Sequence, residues 1–366
     1  MKVAPAAALR GILDLSADEL AVWFAEHGQP RLRARQVRRW LMVAGAQSFD
    51  DMTDLPKSLR QELADSFVPL ETRVERHLQA ADGTHKLLLR LRDDQLIECV
   101  LIQEDRRRTA CISTQVGCGM GCVFCASGLD GLIRNLTQAE ILEQLIRLRN
   151  LSDRSGSPAQ RLTHIVVMGM GEPLANLDTL LEALALATSK DGLGIGARHI
   201  TISTVGLPAK IRRLADLGKQ YHLAVSLHAA NDALRGQIVP TNDQTGLPAI
   251  LEAADYFFQK TGRQVTFEYV LLGGINDSPS HARDLAGLLQ GRQAHVNVIP
   301  FNDVAGLAYR RPEDHALAAF LDVLREQGIS VKVRKRKGSE IDAACGQLRR
   351  QVAKEPGKRK KLTIDH

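Results

Sequence analysis

Apolar residues in the middle of the chain follow two alternating patterns. Six short runs are rich in β-branched residues and almost continuously apolar, which is typical of buried strands. They cover residues 109–115, 164–169, 199–204, 222–228, 265–271 and 295–301. The longer segments that follow each run place apolar residues three or four positions apart, which predicts amphipathic helices. These segments cover residues 137–150, 177–190, 208–217, 248–260, 279–289 and 311–327.

Strands that alternate with helices predict a parallel sheet with both faces covered. Six such units predict an α/β protein with a partial (β/α)6 barrel as its core. In this architecture ligands bind beside the carboxyl ends of the strands. Side chains that follow the predicted strands are therefore the first candidates for chemistry.

The two flanks of the predicted barrel have other patterns. Residues 1–70 contain two helix-start signals, in "SADEL" and "DLPKSLRQELADSF", and predict a small helical accessory domain. Residues 71–108 predict an antiparallel β linker region, in which Asp82 and Gly83 form a hairpin turn. The barrel is assigned to residues 109–338, and a C-terminal segment to residues 339–366.

The composition is typical of a globular protein from a reducing compartment. The chain has 366 residues, 44% of them hydrophobic, which is enough for a full core. No segment approaches the about 20 apolar residues of a transmembrane helix, and the N-terminal "MKVAP" lacks the apolar core of a signal peptide. We therefore expect a cytoplasmic protein that does not bind a membrane. In the cytoplasm, clustered cysteines bind metal or do redox chemistry more often than they form structural disulfides.

Four of the six cysteines lie close together, between residues 111 and 125. Cys118, Cys122 and Cys125 have the spacing Cys-x3-Cys-x2-Cys, and glycines alternate with them, as in a loop that curls around one inorganic centre. Three thiolates on one loop fit a 4Fe–4S cluster that keeps one iron open. A structural zinc ion needs four ligands, so this alternative requires a fourth from Cys99, Cys111 or a histidine. The spacing favours the cluster and leaves zinc open.

Polar residues and glycines recur at the ends of the later predicted strands. Gly171 and Glu172 follow the second strand, Ser203 the third, Ser226 and His228 the fourth, and Asn302 the sixth. Taken alone, each of the polar side chains is more often a helix cap or a turn residue than a ligand. Their recurrence at successive strand ends favours one shared pocket, beside the cysteine loop that follows the first strand.

The net charge favours a polyanionic partner. The formal charge is +6 and the pI is about 9.0, and basic side chains that neutralise phosphates release counterions. The basic residues are clustered as Arg31, Arg33, Arg35, Arg38 and Arg39; Arg106, Arg107 and Arg108; Arg334, Lys335, Arg336 and Lys337; and Lys358, Arg359, Lys360 and Lys361. A charge run is usually a solvated face or tail. The runs just before Cys111 and Cys345 are the better candidates for contact with nucleic acid.

Several motifs together carry a resemblance to a known family. The cysteine loop after the first strand of a β/α barrel is similar to that of the radical S-adenosylmethionine (SAM) superfamily. Seven segments resemble, in order, the RlmN family of adenine carbon-2 methyltransferases of 23S ribosomal RNA and transfer RNA. They are "ECVLIQEDRRRTACISTQVGCGMGCVFCASG", "RNLT", "GMGEPL", "ISTVG", "SLHA", "NVIPFN" and "IDAACGQL". They run from Glu98 to Leu348, about two thirds of the chain, whereas the first seventy residues match only in general character.

The resemblance implies two cofactors and their binding residues. A 4Fe–4S cluster would be held by Cys118, Cys122 and Cys125, and SAM would bind its open iron and yield a 5'-deoxyadenosyl radical. Gly171 and Glu172 would contact the amino end of the methionine. The rest of SAM would be surrounded by Ser203, Ser226, Leu227, His228 and Asn302.

The resemblance also implies roles for the cysteines outside the cluster. Carbon 2 of adenine lies between two ring nitrogens and is a poor nucleophile, so ordinary methyl transfer should fail there. In the family, a first SAM places a methyl group on a protein thiol, here Cys345, and a second SAM activates that methyl group as a radical. Cys111 would then attack the sulfur of Cys345 and form a transient disulfide that releases the product. Glu98 would accept the proton from carbon 2, and Cys99 is expected to pack in the core.

The implied partners are RNAs and an unidentified electron donor. The substrates would be 23S ribosomal RNA at the peptidyl transferase centre and transfer RNA next to the anticodon, with the enzyme acting as a monomer.

Two alternatives stay open. A Cfr-type enzyme would use the same thiols to methylate carbon 8 of a ribosomal adenosine. A zinc-stapled RNA-binding protein would share the basic runs but would have no use for Cys111 and Cys345.

Overall fold

The computed structural model describes residues 9–152, 161–302, 306–334 and 348–349. Within these residues the chain is an α/β protein with one long sheet of ten strands. Cys345 and the basic residues 335–337 and 358–361 lie outside the described residues. No helix of the described residues is long and apolar enough to cross a membrane.

The first seventy residues are mainly helical, as predicted, and the first of the two helix-start signals forms a side-chain cap, whereas the helix at the second signal begins after Pro56 without one. The elements are β1 (Arg10–Gly11), α1 (Ala17–Glu26), α2 (Leu32–Arg39), α3 (Lys57–Ser66) and β2 (Phe67–Val68). α1 begins after Ser16, whose hydroxyl accepts from Glu19 N at 3.1 Å, while Glu19 Oε2 accepts from Ser16 N at 2.7 Å. This reciprocal pair is a capping box, which fixes the start of the helix.

An antiparallel region follows, as the sequence predicts. Its strands are β3 (Arg73–Gln79), β4 (His85–Arg90) and β5 (Leu96–Glu104). The β3–β4 connection turns at Asp82 and Gly83, where Gly83 has φ of 79° and Ala80 N donates to Thr84 O at 2.9 Å. The positive φ explains why glycine suits this position.

The barrel supplies the remaining elements of the structure. Its strands are β6 (Arg107–Cys111), β9 (His164–Val167), β10 (Ile200–Thr204), β11 (His222–Ser226), β12 (Val265–Leu271), β13 (Ala294–Pro300) and β14 (Val331–Val333), and a separate hairpin is formed by β7 (Gln115–Gly117) and β8 (Leu132–Asn135). Its helices are α4 (Gln138–Ser152), α5 (Leu177–Thr188), α6 (Pro208–Asp216), α7 (Asp232–Ile238), α8 (Leu247–Thr261), α9 (Pro279–Leu289) and α10 (Asp314–Glu326). The α/β class is therefore confirmed.

The sheet differs from the predicted one in two ways. Its order is β14-β13-β12-β11-β10-β9-β6-β5-β4-β3, so β14 adds a seventh parallel strand to the six that the pattern predicts. The antiparallel strands also continue the barrel sheet, because β5 pairs directly with β6. The linker region is therefore part of the wall that holds the first barrel strand.

One hydrophobic core extends from the N-terminal helices into the barrel, from Ile12 to Leu324. Hydrogen bonds also connect the two regions. Arg149 on α4 donates to Val43 O, and Asn150 Nδ2 donates to Gly45 O at 3.1 Å. The division of the chain at residue 70 stays a prediction, because apolar packing and polar contacts both cross it.

Candidate active site

The three predicted cluster ligands lie on a loop that a small hairpin closes. β7 and β8 pair on either side of the loop, and Cys118 N donates to Gly131 O at 2.9 Å. Gly117 has φ of 79°, and a Cβ at this residue would lie 2.0 Å from Gly131 O. Glycine at residue 117 therefore allows the two ends of the loop to meet.

The loop packs against the barrel near α7. Val123 N donates to Ile238 O at 3.1 Å, and Cys122 packs on the apolar cluster that includes Ile238. The rings of Phe124 and His228 meet edge to face, with 4.8 Å between their centroids. These contacts fix the thiol-bearing loop to the barrel.

Burial disfavours the ionised form of the loop's thiols. It raises the pKa of Cys118 to about 11 and also raises the pKa of Cys122, and the charge of Cys125 acts in the same direction. A bound metal reverses this preference, because a coordinating thiol is deprotonated outright. Among the described residues, no group of three Cys, His, Asp or Glu side chains converges as a site for one metal ion.

A cavity of about 960 Å³ lies between the cysteine loop and the sheet. Cys111, Cys125 and Asn302 line it, together with residues of β5, β9, β12 and β13. Asn302 Oδ1, Ser127 Oγ and Thr84 Oγ1 are buried and have no hydrogen-bond partner among the described residues, and all three residues line the cavity. Buried polar atoms without partners are costly, so these atoms fit a polar ligand such as SAM.

Gly171 and Glu172 follow β9 and lie close to β7, the strand that leads into the cysteine loop. Gly171 has φ of 100°, and a Cβ there would lie 2.6 Å from Gln115 Cβ. Glu172 is buried, and its carboxylate accepts from Leu174 N at 3.0 Å and from Val205 N at 2.8 Å. Burial raises the pKa of Glu172 to about 7. Glu172 therefore connects the ends of β9 and β10 through these two hydrogen bonds.

The other predicted cofactor residues lie at the ends of β10 and β11. Ser203 and Ser226 are half-buried and Leu227 is fully buried, and none of the three lines the cavity, unlike Asn302. His228 has φ of 63°, is buried, and accepts from Val270 N at Nδ1, 3.0 Å away. Burial lowers the pKa of His228 to about 3, so the ring is neutral and carries its proton on Nε2.

Arg235 on α7 is a residue of this site that the sequence pattern did not identify. Its buried guanidinium donates to Leu227 O at 3.0 Å, Ser226 O at 2.9 Å and Val205 O at 2.6 Å. It therefore holds the ends of β10 and β11 together beside the cysteine loop. The sequence gives no local signal for this role, because the carbonyl partners of Arg235 lie on other segments of the chain.

Cys111 and Glu98 lie on neighbouring strands and on the same face of the sheet. Cys111 is buried, lines the cavity and pairs with Val100 across β6 and β5. Glu98 is two residues before Val100, which makes it a diagonal neighbour of Cys111, at about 7 to 8 Å. Cys99 points to the opposite face and belongs to the main core.

Glu98 is fully buried and has partners on two sides. Its Oε2 forms an ion pair with Lys86 Nζ at 2.8 Å, and its Oε1 accepts from Arg349 N at 2.6 Å. Leu348 is buried beside this pair, against Leu88 and Leu96. Leu348 and Arg349 therefore lie on the antiparallel strands, whereas Cys345 is outside the described residues.

The basic clusters are used in different ways. On α2, Arg35 forms an ion pair with Asp191 at 2.9 Å, and Arg38 Nη2 donates to Leu15 O at 2.7 Å. Arg31 and Arg39 are exposed. The fold itself thus engages part of the first cluster, and the exposed members are the better candidates for a polyanion.

Two family models match the chain. Residues 11–68 match the model described as "Ribosomal RNA large subunit methyltransferase N-terminal domain". Residues 112–286 match the model of the radical SAM superfamily. The first match covers the N-terminal helices, and the second covers the cysteine loop and most of the barrel.

Similar proteins match nearly the whole chain. A relative from Rhodopirellula baltica, described as a probable dual-specificity RNA methyltransferase RlmN, is 54% identical over 339 residues, 93% of this chain and 90% of the relative. A relative from Geobacillus thermodenitrificans with the same description is 44% identical over 349 residues, 95% of this chain and 94% of the relative. The crystal structure of a radical SAM methyltransferase from Sphaerobacter thermophilus superposes with a TM-score of 0.89 at 42% identity, covering 92% of this chain and 98% of the other.

Proposed function

This chain belongs to the RlmN family of radical SAM RNA methyltransferases, and we propose that it forms 2-methyladenosine in 23S ribosomal RNA and in transfer RNA. The dual-specificity description of the relatives supports two kinds of RNA substrate. The N-terminal match to a large-subunit ribosomal RNA methyltransferase model supports 23S RNA as one of them. The modified positions, in the peptidyl transferase centre and next to the anticodon, follow from the family resemblance.

The family confirms the predicted cofactors, so the enzyme uses a 4Fe–4S cluster and SAM. We assign the cluster to Cys118, Cys122 and Cys125. We assign SAM to the cavity beside them, where Asn302 offers an unpartnered acceptor atom. His228 does not line this cavity, but its neutral ring packs on Phe124, which does, and it can donate from Nε2. Gly171, Glu172, Ser203, Ser226 and Leu227 complete the proposed SAM site. When bound, the two cofactors supply a carbon radical that activates an otherwise inert methyl group.

The place of Cys111 is the observation that carries the proposal. It is a fourth thiol, outside the ligand spacing, and it lines the same cavity as Cys125. A simple electron carrier has no need of such a thiol. A methyl transfer that passes through a protein-bound sulfur needs a second thiol to release the product.

Cys345 is the proposed carrier of the methyl group. It precedes Arg349 by four residues, and four residues of chain span at most about 14 Å. Arg349 N is bonded to Glu98, which is a diagonal neighbour of Cys111. The covalent chain thus keeps Cys345 within reach of the face that carries Cys111 and Glu98.

Product release is assigned to Cys111 and Glu98. After the activated methyl carbon has joined carbon 2 of the adenine, the proton of carbon 2 passes to the carboxylate of Glu98. The thiolate of Cys111 then attacks the sulfur of Cys345. An S–S bond forms as the carbon–sulfur bond breaks, and the electron pair of that bond leaves with the methylene carbon, which takes up a proton. The unpaired electron of the adduct would pass to the cluster, which would act as the acceptor because it gives up one electron when SAM is cleaved.

RNA contact is assigned to three exposed arginines. Arg31 and Arg39 lie at the two ends of α2, and Arg334 lies at the rim of the cavity. The further partner is a one-electron donor. The enzyme is proposed to act in the cytoplasm, where its RNA substrates are transcribed and used.

Chromatography of digested RNA tests the proposed product. Unmodified 23S RNA fragments and transfer RNA are incubated with the cluster-loaded enzyme, digested to nucleosides and compared with 2-methyladenosine and 8-methyladenosine standards. We expect 2-methyladenosine from both RNAs and from neither with Cys111→Ala as catalyst. Formation of 8-methyladenosine would contradict the proposal and identify a Cfr-type enzyme. Product from only one RNA would contradict dual specificity.

A further inference from the structure

Lys86 is a buried cation that the proposed chemistry does not use. It lies on β4, its side chain is fully buried, and its Nζ is 2.8 Å from Glu98 Oε2. The register places Lys86 opposite Val100 on β5, and Val100 opposite Cys111 on β6. Lys86 and Cys111 are thus on one face of the sheet, about 10 Å apart across two strand spacings.

We propose that Lys86 is a positioning residue, which holds the carboxylate of Glu98 in place beside Cys111 so that Glu98 can accept the proton from carbon 2. This inference rests on the proposed function, in which Glu98 is the proton acceptor. Lys86 itself does not contact the RNA base in this role. Its effect is exerted through the carboxylate of Glu98.

The surroundings of Glu98 are mainly apolar. Leu88 lies opposite it on β4, and Leu96 precedes it on the same face of β5. Among the described residues, the titratable or charged groups bonded to it or placed beside it on this face are Lys86 on β4, the thiol of Cys111 on β6, and Arg349, whose backbone N–H is at 2.6 Å. The guanidinium of Arg349 is partly buried, which lowers its pKa, and it interacts with Asp130 as well as with Glu98.

A buried charge without a partner is costly, so a carboxylate at this position needs groups that bind both of its oxygens. The cation of Lys86 offsets the loss of hydration and fixes one carboxylate oxygen, while Arg349 N fixes the other. Both oxygens of the carboxylate are therefore fixed at a buried position next to Cys111.

A purely structural role is a weak explanation for this ion pair. Replacing a buried ion pair by apolar residues of similar volume is often neutral or stabilising. The neighbouring positions on the same face, Leu88, Leu96 and Val100, already show that apolar residues fit this part of the sheet. A charged pair retained between them, next to the proposed releasing thiol, favours a role in the reaction.

The proton transfer balances without a further reactant. The carbon–hydrogen bond at carbon 2 of the adduct breaks, the proton moves to Glu98, and the bonding electrons stay with the adenine. The Lys86–Glu98 pair then has a net charge of +1 instead of zero. It returns to neutral when Glu98 passes its proton to water before the next turnover.

Four variants test this role in single-turnover reactions of the cluster-loaded enzyme. Lys86→Gln keeps an N–H donor but removes the charge, Lys86→Arg keeps the charge, and Glu98→Gln removes the base. Leu88→Met is the matched control on the same strand and face. Each is given RNA with either hydrogen or deuterium at carbon 2 of the target adenosine. SAM cleavage, covalent protein–RNA adduct and released product are measured, and release is normalised to SAM cleavage so that partial unfolding cancels.

We expect Lys86→Gln to cleave SAM and form the adduct, but to release product about 10²-fold more slowly, as Glu98→Gln does. The ratio of release rates for hydrogen and deuterium should rise above that of the wild type, because proton loss has become the slow step. Lys86→Arg should recover most of the release rate, and Leu88→Met should match the wild type.

The outcomes separate this inference from the function on which it rests. Normal release and an unchanged isotope ratio in Lys86→Gln, with Glu98→Gln stalled, would overturn the role of Lys86 alone. Normal release by Glu98→Gln would overturn the assignment of the proton acceptor itself. Loss of SAM cleavage in both Lys86→Gln and Lys86→Arg would show that the pair is structural and that the inference is wrong.

Discussion

At the scale of single residues, the cysteine loop depends on backbone conformations that few side chains adopt. Gly117, Gly121 and Gly131 all have positive φ, whereas Gly119 does not. At Gly117 the added constraint is steric, because a Cβ would lie 2.0 Å from a backbone oxygen. The alternation of glycines with the ligands is visible in the sequence, but the structure shows which of these glycines the loop requires.

Gly117→Ala should therefore lose the cluster, because the β7–β8 hairpin cannot close around the Cys118–Gly131 hydrogen bond. Gly119→Ala is the matched control, since its Cβ would stand at an ordinary 3.6 Å from Leu132 Cβ. Iron analysis after anaerobic reconstitution should find about four irons per chain in the wild type and Gly119→Ala, and far fewer in Gly117→Ala. Equal iron content in the two variants would contradict this account of the loop.

Glu143 shows how a buried carboxylate makes stability depend on pH outside the site. It lies on α4, and its oxygens accept from Glu71 N at 2.7 Å and from Thr72 N at 2.6 Å. Burial raises its pKa to about 7, whereas the ordinary value is about 4.3. A raised folded-state pKa means that the contribution to stability is complete at low pH. It is lost as the pH rises through about 7.

Glu143→Gln should thus flatten the decrease in stability between about pH 5 and pH 8, by at most about 3 kcal/mol. Because the glutamine side chain cannot accept from both amides, the variant should be less stable at every pH. The test is therefore the change of stability with pH and not the stability itself. Melting temperatures of the cluster-loaded protein against pH provide the measurement. Glu182→Gln, at an exposed position of α5, is the control. A slope equal to that of the wild type would contradict the assigned pKa shift.

At the scale of elements, α2 combines attachment to the barrel with exposed charge. Arg38 is tied to Leu15 O and Arg35 to Asp191, whereas Arg31 and Arg39 are exposed. The sequence shows five arginines in or beside one helix and cannot tell these uses apart. The difference is visible only once the partners of each guanidinium are known.

Arg31→Ala and Arg39→Ala should each weaken RNA binding and reduce its salt dependence, by about 0.7 to 0.9 in the logarithmic slope for each phosphate that is no longer neutralised. Arg38→Ala should instead remove the hydrogen bond to Leu15 O and lower the free energy of unfolding by about 1.5 to 3 kcal/mol, with an unchanged slope. RNA affinities at several salt concentrations, with melting curves, distinguish the two effects. A change of slope in Arg38→Ala alone would contradict this division.

The sequence predicted the long periodic elements and failed on short or distant ones. The parallel strands β9 to β13 and the helices α4, α5, α6, α8, α9 and α10 agree with the apolar periodicity to within a few residues. α7 and β14 have seven and three residues, too few for a period to be recognised. The pairing of β5 with β6 was missed as well, because periodicity does not specify which strands become neighbours.

The same limit applies to the site. The ligand thiols could be predicted because their chemistry depends on local spacing. Lys86 and Arg235 could not, because their roles depend on partners that are distant in sequence: Glu98 for Lys86, and the ends of β10 and β11 for Arg235. A lysine beside three leucines in β4 is the only local sign of the buried ion pair.

At the scale of the whole molecule, the continuous sheet brings the parts of the reaction together. The face of β4, β5 and β6 carries Lys86, Glu98 and Cys111, and the parallel strands continue this face into the cavity beside the cysteine loop. Leu348 and Arg349 lie against the same face. Cys345, the proposed carrier of the methyl group, precedes Arg349 by four residues in the sequence.

The most direct test of this account is denaturing electrophoresis of single-turnover reactions with labelled RNA. If Cys345 carries the methyl group and Cys111 only releases the product, Cys111→Ala should accumulate a covalent protein–RNA band. Cys345→Ala and the double variant should give none, although both retain the cluster and SAM. An adduct that forms without Cys345, or a Cys111→Ala enzyme that releases product at the wild-type rate, would contradict the account.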